Sequence, residues 1–124
     1  MRLLLDTHAL LWWLADEGLS GQAREAIADP TNLVLVSAAS AWEISIKKAL
    51  GKLAVPDNLE QQVRASGFRP LPINIAHGVA AGELARHHDD PFDRMLIAQA
   101  LAEELTVVTR DKRFDDYSVA LLPA

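Results

Sequence analysis

Four acidic residues of this chain stand where a folded protein could bring carboxylates together. Asp6 follows the apolar run of "MRLLLDTH", and Asp111 follows the apolar run of "LTVVTRD". Glu43 of "SAWEI" and Asp93 of "DPFDRMLIAQA" lie in patterns typical of helices. Two carboxylates repel by about 4 kcal/mol at about 4 Å and an effective dielectric constant of about 20. A converging group therefore needs protonation or a cation, and oxygen donors alone favour Mg²⁺ or Mn²⁺.

Asp6 and Asp111 each follow a segment that is predicted to be a buried strand. A structural explanation exists for both, since Asp6 could cap the next helix and Asp111 could be a turn residue. In open parallel sheets, however, binding sites form at the carboxyl ends of the strands. Two strands that carry an acid to the same edge predict a site there more specifically than either strand does alone.

Glu43 and Asp93 each lie on the apolar side of a predicted helix. Their apolar neighbours on the helical wheel are Ala39, Ile46 and Leu50 for Glu43, and Leu96, Ile97 and Ala100 for Asp93. Structural explanations exist here as well. Glu43 could pair with Lys47 one turn later, and Asp93 could complete a capping box with Asp90 as N-cap and Pro91 as the first helical residue. A capping box does not require the carboxylate to face the buried side, so both acids remain site candidates.

Apolar runs alternate with helical patterns along the chain, which predicts parallel βα units in an α/β fold. Strands are predicted at residues 3–5 and in the segments "NLVLVS", "LPINI", "LTVVT" and "VALL". Helices are predicted near residues 9–15, from an N-cap at Ser20 to the residue before Pro30, at 38–50, and in "PDNLEQQVRASG", "AHGVAAGELARH" and "DDPFDRMLIAQALAEE". A chain of 124 residues is expected to form one domain, residues 1–124.

The composition excludes several classes of site. The chain has no cysteine, so disulfides, thiol chemistry and cysteine-based zinc sites are ruled out. It lacks an apolar stretch of about 20 residues, and its N-terminus does not resemble a signal peptide. We therefore expect a cytoplasmic protein with no membrane partner. The net charge of −5 disfavours non-specific nucleic-acid binding, although basic residues cluster at positions 47–52 and 110–113.

The motifs "LLLDTH", "SAWEI", "DPFDRMLIAQA" and "VVTRD", taken together, resemble the successive acidic motifs of PIN-domain ribonucleases, specifically the VapC-type toxins of type II toxin–antitoxin systems. The resemblance extends over essentially the whole chain, with no departure at the four acids. It implies a twisted, mostly parallel sheet with helices on both faces. It also implies a Mg²⁺-dependent endoribonuclease, with Mn²⁺ as a substitute cofactor, RNA as substrate, and a homodimer that binds a small antitoxin protein.

By motif, Asp6, Glu43, Asp93 and Asp111 match the first to fourth acids of the family pattern, and Asp115 is a candidate for an additional acid. Our hypothesis is that Asp6 and Asp93 hold the metal directly. Glu43 and Asp111 would complete the site, either as ligands through water or by orienting the nucleophilic water. The RNA target stays open among transfer, ribosomal and messenger RNA.

Other polar residues have weaker interpretations. Thr7 and Thr109 could support the acids by hydrogen bonds, although threonines at strand ends are more often structural. His8 could touch substrate at the start of the first helix. His87 and His88 hint at a transition-metal site, but adjacent histidines rarely share one ion on regular structure, which favours exposed loop residues.

Two other functions compete with the nuclease. An aspartyl phosphatase of the haloacid-dehalogenase type also has an Asp after its first strand, but it needs a second Asp two residues later, where this chain has His8. A binding module with little or no nuclease activity is the non-enzymatic alternative. Trp12 and Trp13, about 100° apart on a helix, could place one tryptophan at an interface, although packing of both in the core is the commoner arrangement.

Overall fold

A computed structural model describes all 124 residues as one five-stranded sheet between two layers of helices. The strands are β1 (Arg2–Leu5), β2 (Leu33–Ser37), β3 (Arg69–Leu71), β4 (Thr106–Thr109) and β5 (Ala120–Pro123). Their order across the sheet is β3-β2-β1-β4-β5, so β1 is the central strand. Every neighbouring pair is parallel. The predicted α/β fold is confirmed, and the sheet is entirely parallel.

Six helices connect the strands, as a parallel sheet requires. They are α1 (Thr7–Ala15), α2 (Gly21–Ala28), α3 (Ala38–Ala49), α4 (Leu59–Ala65), α5 (Ile75–Glu83) and α6 (Pro91–Glu103), with a 3₁₀ turn at Lys112–Phe114. Ser20 and Asp90 cap α2 and α6 through their side chains, as predicted. None of the helices has the length and apolar character needed to cross a membrane.

The leucines of β1 join the two hydrophobic cores of the molecule. Because successive strand residues face opposite sides, Leu3 and Leu5 pack in one core and Leu4 packs in the other. All three are fully buried. The first core includes residues of α1, α2 and α3, and the second includes residues of α6 and the 3₁₀ turn. Helices therefore cover both faces of the sheet, and β1 is held firmly between them.

The third strand lies earlier than predicted. The expected strand at residues 71–75 is wrong, because β3 ends at Leu71 and α5 begins at Ile75. Asn74 determines this boundary: its side chain accepts the His77 N–H at 2.8 Å, and its own N–H donates to His77 Nδ1 at 3.2 Å. This reciprocal capping box starts a helix. The apolar residues Ile73 and Ile75, which suggested a strand, are exposed.

Candidate active site

Asp6 lies at the carboxyl end of the central strand, and both of its side-chain oxygens are bound. Its Oδ1 accepts the Ala9 N–H at 2.7 Å, so Asp6 is indeed the N-cap of α1, which begins at Thr7, earlier than predicted. Its Oδ2 accepts the hydroxyl of Thr109 at 2.6 Å. The helix-cap explanation therefore covers only one oxygen. The second oxygen faces the end of β4, where the next candidate acid follows.

Thr109 connects the first and fourth candidate acids. It donates to Asp6 and accepts the Asp111 N–H at 3.0 Å through the same hydroxyl oxygen. Asp111 in turn caps the 3₁₀ turn by accepting the Arg113 N–H at 2.9 Å. Since β1 and β4 are adjacent and parallel, their carboxyl ends lie side by side. The structure thus brings Asp6 and Asp111 to one edge of the sheet, and a buried hydroxyl links them.

Glu43 is held on the inner side of α3. It is 8% exposed, and its Oε1 accepts the hydroxyl of Thr7 at 2.7 Å. Its Oε2 pairs with Lys47 at 2.8 Å, which is the ion pair that the helical spacing predicted. Thr7 immediately follows Asp6, so its hydroxyl joins α3 to the end of β1. The expectation that Thr7 and Thr109 support candidate acids is confirmed.

Asp93 lies in the first turn of α6 with its carboxylate directed inward. It does not complete a capping box, because the Asp90 N–H binds His88 Nδ1 at 3.2 Å instead. Asp90 alone caps α6, accepting the N–H groups of Phe92 and Asp93. The Oδ2 of Asp93 is buried and has no hydrogen-bond donor. The capping-box explanation for Asp93 therefore fails, and its buried oxygen accepts no hydrogen bond.

Arg113 extends from the 3₁₀ turn across the acids at the start of α6. Its guanidinium lies 2.9 Å from Asp111 Oδ2, 3.2 Å from Asp93 Oδ2 and 3.3 Å from Asp90 Oδ2. The contact with Asp93 is ionic and does not have the geometry of a hydrogen bond. Sequence reasoning placed this arginine only in a basic cluster. Its position among three acids depends on long-range folding, which no local pattern signals.

The pKa values of the acids reflect their burial and their mutual repulsion. Burial, followed by the negative charge of Asp90, raises the pKa of Asp93 to about 7. Burial also raises the pKa of Asp6, against the opposing effect of the hydrogen bond from Thr109. The pKa of Asp111 is lowered instead, chiefly by its hydrogen bonds to Arg113. Glu43 and Asp111 both raise the pKa of Asp93 through their charges, so the candidate acids share one electrostatic environment.

The chemistry of this cluster fits a hard divalent cation. No three side chains of Asp, Glu, His or Cys lie in a group arranged to hold a metal ion. The donors at this edge are nevertheless carboxylate oxygens only, the ligand type that Mg²⁺ and Mn²⁺ prefer. The buried oxygen of Asp93 lacks a hydrogen-bond donor, and repulsion among the acids favours any cation that enters. In this arrangement Arg113 is the cation in contact with Asp93.

The PIN domain family matches residues 3–120 of the chain. This chain belongs to the PIN-domain family. Ribonuclease VapC22 of Mycobacterium tuberculosis is 32% identical to this PIN domain, over 89% of the chain and 87% of the relative. Ribonuclease VapC16 of the same organism is 40% identical, over 45% of the chain and 43% of that relative's length. The likeness to VapC22 over most of both chains makes this a VapC-type PIN domain, as its motifs predicted.

Solved structures share the fold of this PIN domain. The DNA-bound VapBC complex of Salmonella typhimurium contains a chain that matches with a TM-score of 0.71 and 20% identity, covering 98% of this chain and 97% of that one. VapBC2 of Rickettsia felis, bound to a promoter DNA fragment, matches with a TM-score of 0.69 and 17% identity, covering 98% of both chains. TM-scores of this size over nearly the whole chain establish a common fold.

Arg94 is a buried residue of the PIN domain that the sequence did not single out. Its guanidinium donates to the Tyr117 hydroxyl and to four backbone carbonyls, those of Ala81, Leu84, Ala85 and His88. These acceptors lie at the end of α5, in the segment between α5 and α6, and after the 3₁₀ turn. Arg94 therefore fixes the connection that leads into Asp90 and Asp93. The only local signal for it is an arginine in the first turn of an amphipathic helix.

The histidines make no hydrogen bond to the four acids, although His8 acts to lower the pKa of Asp6 and His88 that of Asp111 through their charges. His87 and His88 pack edge-on against Tyr117, with ring centroids 5.0 Å and 5.7 Å away. His8 is exposed and lies 5.8 Å from the ring of Trp12. Asp115 is exposed, and its neighbour Asp116 is exposed as well.

The tryptophan pair of α1 packs against the core, whereas a third tryptophan is exposed. Trp12 lies under the guanidinium of Arg110, which is 3.9 Å from the ring centroid. Trp13 donates to Ser66 at 3.1 Å. Both are only partly buried but pack against the first core. Trp42, next to Glu43, is 62% exposed.

Proposed function

We propose that this chain is a metal-dependent endoribonuclease that hydrolyses RNA phosphodiester bonds in the cytoplasm and acts as the toxin of a toxin–antitoxin pair. The observation that supports this most is the linked series Asp6–Thr109–Asp111–Arg113–Asp93, which joins three candidate acids at one edge of the sheet. Both of its VapC relatives are named ribonucleases.

The four acids have distinct roles in this proposal. Asp6 and Asp93 would hold Mg²⁺, or Mn²⁺ in its place, with Thr109 fixing the orientation of Asp6. The chemistry that such an ion supplies is activation of water for attack and stabilisation of negative charge on the phosphate. Glu43, oriented by Thr7, would accept a proton from the attacking water or hold that water in place, and Asp111 would assist.

Cleavage of RNA by the purified chain, free of any partner, tests this proposal. We expect cleavage with Mg²⁺ and none in excess EDTA. Asp6→Asn should abolish cleavage and retain the fold, because asparagine is also a good N-cap and can accept the Ala9 N–H. Asp116→Asn, which removes an exposed acid of equal charge, is the matched control and should cleave normally.

The same experiment separates the nuclease from the alternative of a partner-binding module. A well-folded wild-type chain that binds a partner but cleaves no RNA with Mg²⁺ or Mn²⁺ would favour the binding module. Full activity of Asp6→Asn, or full activity of the wild type in EDTA, would refute the proposed acid site.

We propose two protein partners, a second copy of the chain and a small antitoxin. The similar structures from Salmonella typhimurium and Rickettsia felis are those of VapBC and VapBC2, each bound to DNA.

The exposed apolar face of α5 supports the homodimer. Ile75 is 87% exposed and Val79 is 54% exposed, and an apolar helix face of this kind favours self-association. Light scattering of the purified chain should give a dimer, and Val79→Glu should give a monomer. A monomeric wild type would overturn the homodimer.

A further inference from the structure

Arg113 occupies the centre of a group of three acids that come from two separate parts of the chain. Asp90 and Asp93 belong to the start of α6, and Asp111 follows β4. The guanidinium uses different nitrogens for them: Nη1 contacts Asp90, whereas Nη2 contacts both Asp93 and Asp111. Its Nε also lies within 3.3 Å of both Asp111 oxygens. One positive charge therefore faces three negative charges.

Local hydrogen bonds fix this arrangement. Asp90 is held in place as the N-cap of α6, and Asp111 as the cap of the 3₁₀ turn. The positions of Asp90 and Asp111 therefore do not depend on a bound cation. The Arg113 side chain is 50% exposed, so it can leave without unfolding the core. Lys112, the residue before it, is exposed and forms no ion pair with these acids, all of whose ion pairs come from Arg113.

A divalent ion in the proposed site would need the oxygen that Arg113 now faces. Asp93 Oδ2 has no hydrogen-bond donor, and its cationic neighbour is the guanidinium at 3.2 Å. Because two cations cannot share that buried oxygen without strong repulsion, each would exclude the other from it. The contact with Asp111 is bidentate, with Nε donating to Oδ1 and Nη2 donating to Oδ2, so the arginine stays attached there when it leaves Asp93.

We propose that Arg113 is a resident counter-ion of the acidic site, which a divalent cation must displace from Asp93 before the site is loaded. Arg113 therefore neutralises the acids in the metal-free protein and weakens metal binding by competition. This proposal rests on the metal-dependent function proposed above. It goes beyond that function because it assigns control of the metal affinity to Arg113, a basic residue of the same chain.

Calorimetric titration with Mn²⁺ alone tests the competition without measuring cleavage. We expect Arg113→Gln to bind Mn²⁺ more tightly than the wild type, because the metal no longer has to displace a positive charge. The expected gain is only about tenfold, since half-exposed ion pairs each contribute little free energy. Lys112→Gln is the matched control: it removes the same charge from the neighbouring position and should change the affinity by about twofold or less. Arg113→Lys should lie between the wild type and Arg113→Gln, because lysine cannot make the bidentate contact.

Nuclear magnetic resonance gives a second readout on the folded wild type. Addition of Mg²⁺ should shift the Nε–Hε signal of Arg113. The signal of Arg24, which pairs with the distant Asp16, should not move. An unmoved Arg113 signal at saturating Mg²⁺ would contradict the displacement even if Arg113→Gln failed to fold.

The outcomes distinguish this proposal from the function on which it rests. Equal or weaker Mn²⁺ binding by Arg113→Gln, with clear binding by the wild type, would overturn the counter-ion and leave the metal site intact. Absence of Mn²⁺ binding in all of these proteins would overturn both the counter-ion and the proposed metal dependence.

Discussion

Asp93→Asn should stabilise the metal-free protein at neutral and alkaline pH, although it removes a proposed metal ligand. Burial and the charge of Asp90 raise the pKa of Asp93 from its ordinary value of 3.8 to about 7. At a pH between these two pKa values, Asp93 is mostly protonated in the folded protein and mostly ionised in the unfolded chain. The contribution of Asp93 to the free energy of unfolding is therefore most favourable below about pH 4. It is lost progressively as the pH rises to about 7 and the carboxyl group ionises in the folded protein.

The magnitude of this effect follows from the size of the pKa difference. A difference of about 3 units corresponds to about 4 kcal/mol. The side chain is 13% exposed, so solvent screening reduces this figure only modestly, but movement of Arg113 toward the ionised carboxylate reduces it further. We expect Asp93→Asn to raise the free energy of unfolding by about 2–3 kcal/mol at about pH 8, and by almost nothing at about pH 4.

Urea unfolding followed by circular dichroism, in EDTA at about pH 4, 6 and 8, measures this difference. The wild type and Asp93→Asn should diverge steadily as the pH rises. Asp116→Asn, at an exposed position, should follow the wild type at every pH. A pH-independent difference, or an Asp93→Asn variant less stable than the wild type at about pH 8, would refute the reasoning.

Substitutions at Thr109, Arg94 and two glycines test other parts of the structure. Thr109→Val should lower the free energy of unfolding by about 2 kcal/mol in urea, because it removes a buried donor and acceptor, and Thr109→Ser should restore most of it. Arg94→Met should lower the melting temperature by about 10 °C, because it removes the guanidinium that donates to the carbonyls of Ala81, Leu84 and His88, whereas Ala85 keeps the hydroxyl of Tyr117 as a donor. Gly18→Ala should destabilise more than Gly51→Ala: both glycines have positive φ, but a Cβ at Gly18 would lie 2.6 Å from Trp12, whereas nothing lies near Gly51. Equal melting temperatures for the two alanine variants would contradict this.

The sequence predicted those parts of the fold that local patterns determine. The buried strands at the first, second and fourth positions are continuous apolar runs, which is typical of a parallel sheet with both faces covered. Ser20 and Asp90 were recognisable as helix caps because their side chains bind backbone groups only three residues away. The third strand was misplaced because alternating apolar residues at 71–75 resemble a strand, whereas the capping by Asn74 requires its exact partner three residues later.

The candidate site was predictable as a set of acids but not as a set of contacts. Strand ends and helix faces indicated Asp6, Glu43, Asp93 and Asp111, because the direction of a side chain follows from the period of its element. Arg113 is at least 20 positions away from Asp90 and Asp93 in the sequence, so no local pattern predicts these contacts. The same is true of Arg94, whose acceptors belong to a loop that only the complete fold brings near.

The central position of β1 has a consequence for how the molecule opens. Its amides lie between β2 and β4, and Leu3 to Leu5 are wholly buried, so hydrogen exchange there should require nearly global unfolding. The 3₁₀ turn that carries Arg113 is anchored in the second core by the fully buried Phe114, but its Lys112 and Arg113 are exposed. The acid at the end of β1 therefore sits on a backbone that opens only with the whole protein, whereas the half-exposed side chain of Arg113 can change its rotamer without any backbone opening.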